Sequence, residues 1–326
     1  MSLRLPDHWL WDFWFARDGD EIHVFYLQAP RSLGDPELRH HNATIGHAVS
    51  RDLRRWDVLP DALGPGPAGE FDDLATWTGS VVRHRDRWHL FYTGIARAED
   101  GRVQRIGVAG SNDLLRWERH GALSEADARW YDHEHWRDPW VAWDPERECF
   151  DMLVCAKASG EGVIGHARSR DLRSWTAGPA LSTPAGHFHM EVPQLVDLDG
   201  AWRIVFSDDT RGSGIHYLTA PERLGPYSGA TADLLPSARA RHHYAGRLIE
   251  HAGESWLVTW LMEDEDGVFV GELSDPVPCP PLARPGSSQP GRPSQSFSSA
   301  QRAPTVQAWT RFVRRDTSSS PSRDTA

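Results

Sequence analysis

Cysteine is scarce in this chain. Cys149, Cys155 and Cys279 are the only three in 326 residues, too few for a disulfide framework and without the C-x-x-C spacing of a zinc site. Lysine occurs once, as Lys157. No apolar run approaches the roughly 20 residues that a membrane helix needs, which argues against a spanning protein. Residues 1–7 carry no apolar segment followed by a small-residue cleavage site, so the expectation is a cytoplasmic protein with reduced thiols. Glycine-rich phosphate loops are missing. Sustained helical periodicity is missing too, which excludes an ordinary two-domain α/β protein, although length alone would suggest about two domains.

The formal net charge is −11, and residues 283–326 hold seven Arg against two Asp, so the acidity belongs to the rest of the chain. An acidic body tracks phosphates poorly, and nucleic acid is not expected as a partner. The basic tail is rich in Ser, Pro, Gly and Gln without apolar periodicity, and it reads as disordered. The chain thus divides into a folded body, 1–282, and a tail, 283–326. Deleting the tail is expected to leave thermal stability and any activity nearly unchanged. A large loss of melting temperature on truncation would contradict that division.

Tryptophan is the residue in excess, with 16 copies. Such side chains stack on the flat apolar faces of ligands, sugars included, but a repeat gives several of them a packing role. Residues 45–56, 106–117 and 164–175 each read I-G-x-A-x-S-x-D-L-x-x-W, with weaker copies at 215–219 and 268–272. Each copy follows a short β-branched or aromatic run, at 23–26, 89–92, 151–154, 203–206 and 256–259. Runs of this kind bounded by Gly, Asp and Arg are strands. Five such units, each with an inner strand before the aromatic run and a fourth strand after the repeat, specify an all-β fold: a five-bladed β-propeller with four antiparallel strands per blade. The fifth unit lacks a clear fourth strand, which the residues before Trp9 are expected to supply.

The inner strands line the central funnel, so their side chains decide function. Asp12 lies 13 residues before Phe25, Asp138 lies 15 before Leu153, and Glu191 lies 14 before Val205. The matching places in the second and fifth units fall near Thr78 and Ala245. Asp12 is flanked by Trp11, Phe13 and Trp14, Asp138 by Trp136 and Trp140, and Glu191 by Met190 and Val192. A carboxylate in such surroundings loses solvation and must be paired or used. A single example has a bland reading as a capped turn or a buried ion pair; three in nearly matching register do not. Glycoside hydrolysis needs one carboxylate as nucleophile or base and another kept protonated as acid, and mutual repulsion among three acids raises one of them into that role.

On these residues the chain resembles glycoside hydrolase family 32, the invertases and fructan hydrolases, with features of the family 68 levansucrases. Residues 46–56 are similar to a family 32 segment, and Thr78-Gly79-Ser80, Arg137-Asp138-Pro139 and Glu191-Val192-Pro193 resemble its S-G-S, R-D-P and E-C-P motifs. Leu10-Trp11-Asp12-Phe13-Trp14 differs from the family's W-M-N-D-P-N-G and resembles the W-D-x-W of levansucrases. The resemblance implies Asp12 as nucleophile, Asp138 as transition-state stabiliser and Glu191 as general acid/base, with retention of configuration and no metal or other cofactor in catalysis. It further implies that Arg137 pairs with sugar hydroxyls or with the acid/base, and that Trp77 and Ser80 line the fructosyl pocket. Trp14, Gln28, His189 and Tyr244 complete the expected substrate-binding set. For Trp77, packing between blades is an equal reading. The family's C-terminal β-sandwich is expected to be absent, since residues after 280 read as tail.

Two histidine-rich stretches, 132–135 and 187–189, lack the H-E-x-x-H spacing and read as polar groove lining rather than metal ligands. Three readings remain open. The first is a retaining β-fructofuranosidase acting on sucrose or short fructans. The second is a transfructosylase or an arabinofuranosidase on the related family 43 propeller. The third is a sugar-binding propeller without catalysis, which has no need of all three acids.

Overall fold

The computed structural model describes residues 3–280 and Leu282, apart from 185, 199, 209–213, 228–231 and 236–241. These belong to one compact unit, Met1–Pro285. The tail expected from 283 lies outside the described residues.

The β-branched and aromatic runs build five four-stranded antiparallel sheets. Blade one holds β1 (His8–Asp18), β2 (Glu21–Pro30), β3 (Thr44–Ser50) and β4 (Asp57–Leu63); blade two holds β5 (Ala75–His84), β6 (Arg87–Ile95), β7 (Gln104–Ser111) and β8 (Glu118–Ser124). Blade three comprises β9 (Trp136–Asp144), β10 (Cys149–Ala158), β11 (Glu161–Ser169) and β12 (Thr176–Gly178). Blade four comprises β13 (Glu191–Leu198), β14 (Ala201–Asp208), β15 (Gly214–Ala220) and β16 (Ala232–Asp233), and blade five β17 (His243–His251), β18 (Glu254–Glu263), β19 (Phe269–Leu273) and β20 (Val277–Pro278). The innermost strands β1, β5, β9, β13 and β17 touch in succession, and β17 returns to β1, which closes the ring.

The repeated S-x-D-L-x-x-W segment is the turn from the third strand to the fourth. Asp52 Oδ1 accepts the N–H of Arg54 at 2.8 Å and of Arg55 at 2.7 Å, while Ser50 Oγ accepts the N–H of Asp52 at 3.1 Å. Asp113 and Asp171 make the same pair of bonds in blades two and three. The turn forces the next residue into the left-handed region, at φ 61° for Leu53, 63° for Leu114 and 62° for Leu172. That conformation is costly for leucine and is offset by burial, since all three are 2% exposed or less. The closing Trp then packs between blades: Trp117 meets Phe25 of blade one edge-on, and Trp175 meets Phe91 of blade two.

Blade five departs from the expected closure. Its fourth segment is β20, which pairs with β18 at 256–257 beyond the stretch taken by β19, so the two lie end to end along one neighbour. The residues before Trp9 do run beside β19, where Leu273 N–H donates to the Leu3 carbonyl at 3.1 Å and Arg4 pairs with Glu272. Among the described residues, 3–7 supply a contact there and no strand.

Every inner strand carries a β-bulge near its start. Asp12 is the unpaired extra residue between Trp11 and Phe13, and Thr78 the one between Trp77 and Gly79. The shifts in β9, β13 and β17 fall just after Arg137, Glu191 and Tyr244. Asp12, Asp138, Val192 and Ala245 all take positive φ at these points. A bulge re-aims side chains and ends regular pairing, as is common beside active sites. The five bulges therefore turn the strand starts towards one axis.

Candidate active site

The bulges sort the site into two layers. The bulge layer is Asp12, Thr78, Asp138, Val192 and Ala245; the layer just before it is Trp11, Trp77, Arg137, Glu191 and Tyr244. Counting along the sequence set Glu191 level with Asp12 and Asp138, but its bulge partner is Val192. Glu191 belongs with Arg137 and Tyr244, and it bonds to both. Arg137 Nη2 donates to Glu191 Oε1 at 2.6 Å, and the Tyr244 hydroxyl donates to Glu191 Oε2.

Asp12 accepts from the Thr78 hydroxyl at 2.9 Å on one oxygen and from the Trp260 indole N–H at 3.1 Å on the other. The Tyr244 and Trp260 rings meet edge-on at 5.9 Å, so Glu191, Tyr244, Trp260 and Asp12 form a continuous chain. Asp138 Oδ2 accepts the Val192 N–H at 3.0 Å and lies 3.8 Å from Arg137 Nε. Its own backbone N–H donates to Thr93 Oγ1, and Thr93 donates to the Thr78 carbonyl. Blades one and two supply apolar walls: the His40 ring stands between those of Trp11 and Trp77, 6.3 Å from each, and its carbonyl accepts the Trp77 indole N–H.

Burial pushes the Asp12 carboxyl up to about 7, helped by the negative fields of Asp138 and Glu191. Burial raises Asp138 as well, against the pull of Arg137. Burial also works on Glu191, but Arg137, His189 and the Tyr244 hydroxyl outweigh it and hold that carboxyl low. These surroundings thus favour the neutral form at Asp12 and the ionised form at Glu191, whose side chain is the more open at 23% exposure against 4% for Asp138.

The profile of the glycosyl hydrolases family 32 N-terminal domain matches residues 14–230. The chain belongs to family 32. It is 29% identical to the sucrose-6-phosphate hydrolase of Bacillus subtilis over 195 residues, 57% of this chain and 38% of that protein. Against an insoluble β-fructofuranosidase isoenzyme of Oryza sativa subsp. indica it is 32% identical over 190 residues, 55% of this chain and 30% of the other. It therefore spans well under half the length of these relatives. Among solved structures, a Bombyx mori GH32 β-fructofuranosidase superposes with a TM-score of 0.67 at 22% identity, covering 84% of this chain and 61% of that one. The inulosucrase of Halalkalicoccus jeotgali, bound to kestose, gives 0.69 at 22% identity, covering 83% and 80%.

Within this family 32 propeller, Glu191, Arg137 and Tyr244 form one hydrogen-bonded group, Asp138 lies 3.8 Å from Arg137, and Asp12 is held by Thr78 and Trp260, the latter in edge-on contact with Tyr244. Trp77 stands in the pre-bulge layer and is 8% exposed. His189 Nδ1 lies 3.9 Å from Glu191 Oε1. The other three expected lining residues serve the framework. Trp14 is fully buried and stacks on Phe25, because an inner strand is covered on both faces and opens to the funnel only near its bulge. Ser80 Oγ accepts the Val141 N–H at 3.1 Å and so ties blade two to blade three. Gln28 sits one strand further out and donates to Thr44 Oγ1. Thr78, Thr93 and Trp260 were missed by sequence reasoning as site residues. Thr78 had a signal, its register with Asp12; Trp260 lies 248 residues from the carboxylate it holds and had none. The His-rich stretches form no metal-ligand group among the described residues.

Proposed function

We propose that the chain is a retaining glycosidase that cleaves β-fructofuranosyl linkages in sucrose or short fructans. Asp12 is the nucleophile, Glu191 the acid/base and Asp138 the stabiliser of the developing positive charge on the sugar ring. The observation that carries the reading is the convergence of three acids from three blades, two of them bulge residues, on one funnel within a family 32 chain. Relatives named for sucrose-6-phosphate and β-fructofuranoside hydrolysis support it, as does a neighbour bound to kestose. Asp12 must act ionised and Glu191 protonated, the reverse of what burial and the local charges favour at each, so substrate binding has to reverse both preferences. Transfer to a sugar acceptor in place of water is the second reading, favoured by the levansucrase-like sequence around Asp12. Among the described residues no helix is long and apolar enough to cross a membrane.

Incubation with sucrose, inulin, levan and aryl furanosides tests the substrate class, and release of fructose is the expected result. Cleavage of arabinofuranosides alone would move the chain to the family 43 type of activity. The pH profile follows from the sign of the Asp12 shift. Above about 7 the last proton of the site leaves and nothing remains to protonate the leaving group, so kcat/KM is expected to fall as pH rises through that value. A flat profile to pH 9 would contradict a group titrating in this way.

A further inference from the structure

Just past the blade-five bulge lies a buried cation that the hydrolytic scheme has not used. Arg247 follows the blade-five bulge and is 1% exposed. Its Nε donates to the Phe13 carbonyl of blade one at 3.0 Å. Its Nη1 donates to the carbonyls of Val192 at 3.1 Å and Pro193 at 2.7 Å in blade four. Its guanidinium carbon stands 5.2 Å from the centre of the Trp140 ring of blade three. Four of the five blades meet at this one side chain. The bonded atoms are not arbitrary. Phe13 is the residue after Asp12, and Val192 is the residue whose N–H holds Asp138 Oδ2.

We infer that Arg247 is a positioning residue for the proposed hydrolysis: its guanidinium fixes the blade-one and blade-four bulges and so aims Asp12 and Asp138 at the substrate. A planar fork of five N–H donors is pre-organised to hold carbonyls on two blades at once, whereas a flexible ammonium loses more side-chain freedom to do so. Burial lowers Arg247 to about 10, so it is still charged at neutral pH, and its field favours the ionised forms of Asp138 and Asp12. Both effects belong to geometry and charge that matter more in the transition state than in binding, because the acids develop their full interaction only as the sugar becomes positive.

The inference rests on the furanosidase reading, and its test separates the two. A cleft of about 280 Å³ on the face away from the acids is lined by Phe15, Trp140, Gln194 and Arg247. It gives added guanidinium a route to the axis that does not compete with substrate. Arg247→Ala is expected to lower kcat about a hundredfold with KM changed less than about threefold. Guanidinium chloride at sub-denaturing concentration should restore kcat saturably, where sodium chloride at equal ionic strength does not. Wild-type kcat in the variant, or a loss without such rescue, would overturn the positioning role and leave a packing role. Should Arg247→Ala not fold, Arg247→Lys is the second variant: it keeps the charge but loses the fork, and it should fold with kcat lowered and KM unchanged. A wild-type kcat there overturns the inference. If the wild type cleaves no furanoside, carboxyl ¹³C titration still decides: Asp138 and Asp12 ionising at higher pH in the charge-removing Arg247→Ala variant supports the inference, and wild-type ionisation sinks it.

Discussion

Replacing Asp12 by Asn is expected to abolish turnover, with a loss on the order of 10⁴-fold or more. The amide is nearly isosteric and keeps an acceptor for Trp260, so the ring should still close. The same change is expected to raise the melting temperature at neutral pH. Burial lifts the Asp12 carboxyl from 3.8 to about 7, so the folded state binds its proton more tightly than the unfolded chain does. The stability tied to that proton is complete below about 4 and is lost as pH rises through about 7. Asparagine carries no such penalty. A variant both inactive and more stable is what a strained nucleophile predicts. A stable variant with near-normal turnover would remove Asp12 from the chemistry, and the hydrolytic assignment with it if Glu191→Gln also kept normal turnover.

Replacing Glu191 by Gln is expected to block the first step on natural substrates, whereas on aryl furanosides, whose leaving groups need no proton, the first step should proceed and loss of the general base should make release of the ester limit turnover. In Glu191→Ala, azide should partly restore turnover of such activated substrates by standing in for the base-assisted water. The stability effect runs opposite to that at Asp12. Arg137 is 6% exposed and donates to Glu191 at 2.6 Å. Removing the charge leaves a buried guanidinium with Asp138 at 3.8 Å as its remaining carboxylate contact among the described residues. Breaking one side of a buried pair is strongly destabilising, so the melting temperature should fall. An unchanged melting temperature would mean that the Arg137–Glu191 contact carries little.

The architecture was legible because a propeller repeats its own punctuation. Ser50, Asp52, Leu53 and Trp56 recur with the same spacing in blades two and three, and each has a local job that fixes the turn. The acids were legible for a related reason, since a carboxyl among aromatic neighbours stands out. Their depth was not. Two residues separate β13 from β14 just as they separate β1 from β2, so the place of Asp12, thirteen before Phe25, is matched by Val192, thirteen before Val205, and Glu191 lies one residue further out. The lining set failed where a strand is covered on both faces: Trp14 reads as a sugar platform in sequence and is core in the fold. Arg247 could not be found because the groups it joins, Phe13, Val192 and Pro193, lie on strands far away in sequence. Local composition reports strands and turns, whereas which blades share a side chain depends on ring closure.

The most direct test of the account is covalent capture. With an activated fructofuranoside, a Glu191→Gln variant should form the fructosyl-enzyme normally and release it slowly, because the general base is gone. Rapid quenching, proteolysis and mass spectrometry should then find one fructosyl residue esterified to the peptide that contains Asp12, and none in Asp12→Asn. A fructosyl ester on Asp138 or Glu191, or steady cleavage with no ester on any peptide, would contradict the assignment of Asp12 as the nucleophile.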